Sequence, residues 1–275
     1  MQARGDDMSS GSEENNDGKG EWTPVEVRSY FVRQRNALAV RASFGPLYMD
    51  YYLHWMQHGI ALDRRVDAIL KDSLAALVLH MVTRPLDETA AWTINFQEPR
   101  LNVFVTANNQ SGNVVGQAWT EDVREAGEGL FCADVVRGGR ESRRSQVPFS
   151  GGDVFRAVEA FYGQSEQRRG RYFQIGPEEF VLIAAQPDCD LPWLDGLGEE
   201  AVARLDKDEE LSLLEQRFYH FECGCNDERI VSRLHVLSAQ EKEDLFGDQD
   251  LFRISCPRCG AKFEISRERF AEIME

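Results

Sequence analysis

The sequence predicts an α+β protein: a mixed domain of helices and antiparallel sheet, then a helical linker, then a small cysteine-rich domain. Three observations carry this. Apolar residues recur at 3.6-residue spacing between Asp63 and Pro85. From Ala90 to Phe149 the period changes to two. Four of the six cysteines then fall between residues 218 and 275.

Residues 1–20 are polar, acidic and rich in Gly and Ser, and are expected to be a disordered tail. Order is expected from about Trp22. Val25 to Ser43 reads as two strands around the polar turn Arg33-Gln34-Arg35-Asn36. Pro46 suits a first helical turn and Gly59 a helix end, which predicts a helix over Leu47–His58. The next helix starts at Asp63, places Val66, Ile69, Leu70, Leu74, Leu77, Val78 and Met81 on one face, and stops before Pro85.

Strands follow at Trp92–Phe96, Leu101–Val105 and Val114–Thr120, with Leu130–Val136 and Gln146–Phe149 adding two more. Asp153–Tyr162 reads as an amphipathic helix, and Arg171–Gln174 with Glu179–Ala185 as a last strand pair. These elements make residues 21–195 one α+β core domain. Residues 196–217, dominated by Glu, Asp, Leu and Arg, are expected to be an acidic helical linker, and 218–275 a separate unit.

Composition excludes several classes. The net charge of −16 argues against general nucleic-acid binding, which needs a basic face. The longest apolar run, Leu74 to Val82, is far short of the ~20 residues that cross a bilayer. With no apolar leader near Met1, the chain is expected to stay in the cytoplasm, without a membrane partner. Six cysteines in that compartment point to metal or redox chemistry and not to a disulfide scaffold.

Cys223-Gly224-Cys225 and Cys256-Pro257-Arg258-Cys259-Gly260 lie 30 residues apart. Four thiols in two tight pairs can close a tetrahedral Zn²⁺ shell, and a domain of this size needs such a staple because its apolar core is marginal. Packing as unligated core cysteines is the poorer reading, since both pairs sit beside charged or polar residues. Asn226 is expected to cap a helix carrying Ile230, Val231, Leu234 and Leu237, and Ser238 with Glu241 a second. A hairpin of Leu251–Ser255 and Ala261–Ile265 and a final helix after Ser266 complete the unit.

Other candidates are weaker. His54 and His58 stand four apart but lack a third ligand, and read as surface histidines on a helix. His220 is an alternate ligand only if a cysteine is not, and His235 reads as exposed. Cys132 is expected to be a buried structural thiol, and Cys189 a poor nucleophile between Asp188 and Asp190. The stretches Arg137–Arg144 and Arg168–Arg171 read as solvated loops, with a further role in holding the acidic linker. No residue set for an enzyme stands out, so the chain is expected not to be one.

A Cys-x-Cys pair with a distant Cys-x-x-Cys is the unusual feature. With Cys225-Asn226-Asp227-Glu228-Arg229, the closing segment Lys262–Glu268, Phe161–Gln167 and Asn113-Val114-Val115-Gly116, it resembles the heat-shock protein 33 family of redox-regulated holdase chaperones. The chain departs from the family pattern at Gln97-Glu98-Pro99-Arg100 and at Arg168-Arg169, which marks a divergent member. The resemblance implies an ATP-independent chaperone that is switched on by oxidation of a zinc centre at Cys223, Cys225, Cys256 and Cys259. It implies the disulfides Cys223–Cys225 and Cys256–Cys259, unfolding client proteins as partners, and leaves open a homodimer of the oxidised form. The competing reading is a constitutive zinc-ribbon adaptor whose metal is purely structural.

Overall fold

Residues 23–139 and 143–274 are described by the structure, a computed structural model. The tail 1–20, Trp22 and Arg140 lie outside the described residues.

The alternating N-terminal segment forms β1 (Val25–Val32) and β2 (Ala37–Ser43), joined at Asn36, whose positive φ an asparagine tolerates. Helix α1 (Gly45–Gln57) takes Pro46 into its first turn, where no N–H is missed. Helix α2 (Arg64–Val82) starts where the Asp63 carboxylate accepts the Arg65 N–H at 2.8 Å. Its last ten residues, Ser73 to Val82, are all buried, so it runs through the middle of the protein.

The period-two segments become β3 (Glu88–Gln97), β4 (Arg100–Asn108), β5 (Asn113–Trp119), β6 (Gly129–Arg137) and β7 (Arg143–Phe149). Helix α3 (Val154–Gln164) follows, then β8 (Gly170–Gln174) and β9 (Glu179–Ala185). All of them join one ten-stranded sheet, ordered β7-β6-β3-β4-β5-β10-β1-β2-β9-β8, with β10 formed by Leu211–Phe221.

Helices α1, α2 and α3 share one core with one face of this sheet. The short helices α4 (Leu191–Gly196), α5 (Glu199–Ala203) and α6 (Leu205–Asp208) bury Leu194, Val202 and Leu205 on the opposite face, against Ala37, Ala39, Val181 and Ile183. That is why β9 is apolar almost without interruption: a strand covered on both faces has no polar side.

One expectation is corrected. The segment 196–217 is helical only as far as Asp208, and from Leu211 it is strand. Antiparallel pairing with β1, from Val32↔Leu211 to Val25↔Tyr219, overrides the helical preference of Leu, Glu, Gln and Arg. Phe218–Phe221 therefore belongs to the sheet and not to the cysteine-rich unit. On its other side β10 meets β5 in parallel over two residue pairs, His220↔Asn113 and Phe221↔Val114. This short seam joins the two halves of the sheet.

After β10 the chain forms α7 (Asp227–Val231), a 3₁₀ turn (Ser232–Val236), α8 (Ala239–Asp244), the hairpin β11 (Leu251–Ser255) and β12 (Lys262–Ser266), and α9 (Arg267–Met274). The capping box at Ser238 and Glu241 is present. The predicted helix after Asn226 lasts one turn before it tightens, and Asn226 caps it by accepting the Arg229 N–H at 2.8 Å. Among the described residues no helix is long and apolar enough to cross a membrane.

His80 is buried in α2, with Nδ1 2.9 Å from the Tyr162 hydroxyl. Burial, reinforced by Arg84, holds its pKa well below the ordinary imidazole value. The unfolded chain thus binds a proton below pH ~6.5 that the native chain refuses, and stability falls with pH at about 1.4 kcal/mol per unit. His80→Asn should remove this slope between pH 6.5 and about 5. Asp72, pushed up to about 6 by burial, titrates with the opposite sign but in both proteins, so it cancels. Urea unfolding across that range checks the difference; parallel curves would contradict it.

Candidate metal centre

Four side chains meet where β10 ends. Cys223 and Cys225 follow the last strand residue, Phe221, and Cys256 and Cys259 sit in the turn between β11 and β12. Their sulfurs all lie within 4.8 Å of one another, with Cys223–Cys256 at 3.7 Å and Cys225–Cys259 at 3.5 Å. Sulfurs held at ~2.3 Å from one tetrahedral ion stand ~3.8 Å apart, whereas a disulfide requires ~2.0 Å. The four thiols are thus separate and placed as a shell for a soft ion. Hydrogen bonding among the sulfurs, Cys223 foremost, holds the Cys256 thiol below the ordinary range and pushes that of Cys259 above it.

Local backbone chemistry builds the two turns. Gly224, between the first two cysteines, and Gly260, after the last, both have positive φ. The Gly260 N–H donates to the Cys256 carbonyl at 2.9 Å, and the Cys256 N–H to that of Ala261 at 2.7 Å. A Cβ on Gly260 would be 2.8 Å from Gln117 Oε1. Gly260→Ala is expected to cost about 1–2 kcal/mol and to weaken metal retention. Competition with a chelator measures the second effect, and unchanged retention would refute it.

The turn does not stand free of the main body. Cys256, Cys259 and Ala261 are part of the main core. From β5, the Gln117 side-chain Nε2 donates to the Pro257 carbonyl at 2.8 Å. His54 Nε2 on α1 lies 3.2 Å from the Cys259 carbonyl, and Lys262 Nζ donates to that of Gly59 at 3.4 Å. Phe221 packs edge-on to Tyr51 with ring centres 5.4 Å apart. Away from the main body, the cysteine-rich unit buries Val231, Phe246, Phe252, Ile265 and Phe270 around a core of its own.

All four predicted cysteines are brought together. His220 instead pairs with Glu222 at 3.1 Å, and His235 is exposed. His54 and His58 are half-buried rather than on the surface: they lie under the cysteine turn, and burial lowers the pKa of His54. Their four-residue spacing reads as a pair of surface histidines, and nothing local to it reveals this docking contact. Cys132 is half-buried on β6 where full burial was expected, because its side of the sheet carries no helix; burial and Asp134 raise its pKa. Cys189 is raised first by burial and then by Asp190.

The basic stretches are tied down. Arg143 pairs with Glu166 at 2.6 Å, Arg144 with Asp134 at 2.7 Å, and Arg169 with Asp195 of α4 at 2.5 Å. Arg171 donates to the carbonyls of Leu194, Asp195 and Leu197 at 2.9–3.0 Å, whereas Arg168 turns to Thr83.

Fold and site together define a class: an α+β protein whose large sheet leads directly into a four-cysteine centre able to hold a metal ion. Residues 186–266 match the family model described as "Hsp33 protein". Two relatives, each called "33 kDa chaperonin", are those of Nitrosococcus oceani, 22% identical over 74% of this chain and 79% of its own, and of Edwardsiella ictaluri, 25% identical over 74% and 80%. The crystal structure of the 33 kDa chaperonin (heat shock protein 33 homolog) from Thermotoga maritima superposes with a TM-score of 0.69 at 15% identity. That match covers 91% of this chain and 97% of the other, and it shows a shared fold. Over residues 186–266 the chain resembles the heat-shock protein 33 family, and the two relatives and the shared fold extend that similarity to most of its length.

Proposed function

We propose that this protein is an ATP-independent holdase chaperone of the cytoplasm, kept inactive by Zn²⁺ at Cys223, Cys225, Cys256 and Cys259 and activated when these thiols are oxidised. The observation that carries the reading is the convergence of four sulfurs from two segments 30 residues apart. The unit they close has five buried side chains in a core of its own. The proposed division is a core of residues 23–221 and a redox module of 222–274.

Bound zinc would supply a cross-link that keeps the thiols deprotonated and the module folded. The chain's own chemistry supplies the switch. A thiolate attacks a peroxide oxygen and becomes a sulfenic acid, and a neighbouring thiol condenses with it, releasing water and forming a disulfide. The pairs Cys223–Cys225 and Cys256–Cys259 follow from the family resemblance. Each removes two of the four ligands, and the module loses its staple. Its departure would bare the surface of α1 and the seam that it covers, beside side chains already exposed: Met49, Leu53 and Met56 on α1, Leu213, Leu214 and Phe218 on β10. Such surface suits unfolding client proteins, and the charge of −16 keeps it soluble. The activated form is free to pair with a second copy through the same surface. The role is binding, with no catalytic turnover.

Light scattering of a thermally unfolding client tests this. Suppression by the oxidised protein alone supports the switch. Suppression by both forms would leave zinc as a structural metal, and suppression by neither would favour the adaptor reading. In the same assay Arg171→Ala should raise activity of the reduced form, because it frees three carbonyls at the end of α4. Arg169→Glu, at an exposed ion pair, should change it little.

A further inference from the structure

A cavity of about 860 Å³ opens over the thiols. Cys223, Cys225 and Cys256 line it, and Cys259 does not. Its apolar wall is made by Ile230, Leu234 and Pro257, and Arg229, Arg233 and Arg258 stand around it. Arg229 is engaged, donating to the Gly224 carbonyl. Arg233 and Arg258 are exposed and, among the described residues, pair with no carboxylate, whereas Arg253, Arg267 and Arg269 of the same module each do. Two uncommitted cations over a nucleophile are unusual in a chain this acidic.

We propose that this cavity admits a small disulfide bearing carboxylates, which Arg233 and Arg258 draw onto Cys223 and Cys225. The proposal rests on the redox reading above and names the oxidant. Size argues for it: a peroxide needs little more than the ~30 Å³ of a water, while pockets of roughly 300–1,000 Å³ hold molecules of several hundred daltons. Charge argues for it as well, since arginine forks match carboxylates.

The chemistry balances within the pair. The thiolate of Cys223 or Cys225 attacks one sulfur of the reagent; the reagent's S–S bond breaks, a mixed disulfide forms and one small thiolate leaves. The neighbouring cysteine, as thiolate, attacks the protein sulfur of that mixed disulfide and expels the second small thiolate. Two protein thiolates are oxidised, and one disulfide is reduced to two thiolates. Cys259, buried and away from the cavity, is not the first to react.

The test uses the full-length, zinc-loaded protein with Cys132→Ser and Cys189→Ser, so that only the four site thiols report. Its reaction with dithiobis-nitrobenzoate, which carries two carboxylates, is compared with that of uncharged dithiodipyridine, before and after R233Q/R258Q. Zinc release is followed in parallel with a metallochromic dye. The arginine changes should slow the anionic reagent about fivefold or more and leave the neutral one within about twofold. The difference should shrink as salt shortens the Debye length. Equal slowing of both reagents, or of neither, overturns the proposal while leaving oxidative switching intact. Failure of both reagents to react with the unaltered arginines would overturn the redox reading and this proposal together.

Discussion

Cys259→Ser is expected to abolish metal retention and to unfold residues 222–274 while the ten-stranded sheet survives. Cys259 is fully buried, its sulfur is 3.5 Å from that of Cys225, and its carbonyl meets His54. Serine keeps the size but offers a hydroxyl that soft ions bind poorly and that stays protonated. Structural zinc contributes on the order of 10 kcal/mol to small domains. The module cannot replace it from five buried side chains, because a unit of this size is marginal even with a complete core. Metal analysis should show loss of the ion. Hydrogen exchange should show lost protection in β11, β12 and α9, with β3 and β4 unchanged. Full metal content and unchanged exchange would refute the argument. On the proposed reading, this variant also holds clients without oxidant.

Phe221→Ala should be nearly as damaging, although it touches no sulfur. Phe221 is 2% exposed, packs on Tyr51 and His54 with ring centres 5.4 Å from each, and is two residues from Cys223. It also forms half of the two-pair seam to β5. Removing a buried phenyl ring costs about 3–5 kcal/mol. Here the loss falls at once on the sheet junction and on the surface that receives the cysteine turn. Phe218→Ala is the control: same strand, same residue type, but 52% exposed, with an expected effect within about 0.5 kcal/mol. Denaturant unfolding of the two variants reads the difference. Similar midpoints would mean that the seam bears no load. Basal holdase activity should rise for Phe221→Ala only.

The contrast between those two phenylalanines shows where sequence reasoning stopped. Leu211 to Gln216 has the composition of a solvated helix, Phe218 to Phe221 reads as the start of the cysteine-rich unit, and no local pattern separates Phe218 from Phe221. What decides is that β1 has a free edge waiting and that β10 fills the gap between β1 and β5, a pairing with a residue almost two hundred positions away. His54 is a similar case. Its spacing from His58 was visible, but its role under the Cys259 carbonyl depends on how a later turn lands on α1.

The sequence by itself determined whatever is local or periodic. The 3.6-residue repeat placed α2, alternation placed the strands from β3 to β6, Ser238 and Glu241 fixed a cap, and two tight cysteine pairs specified a shell for a metal ion. Each needs only neighbours in the chain, or ligands whose chemistry forces them together. Tertiary structure alone decided that one sheet gathers all ten core strands, that β10 links it directly to the cysteines, and that Arg171, not Arg168, holds the end of α4. Those outcomes depend on which distant edges and faces remain open once the local elements have formed, and burial of their apolar sides selects among them.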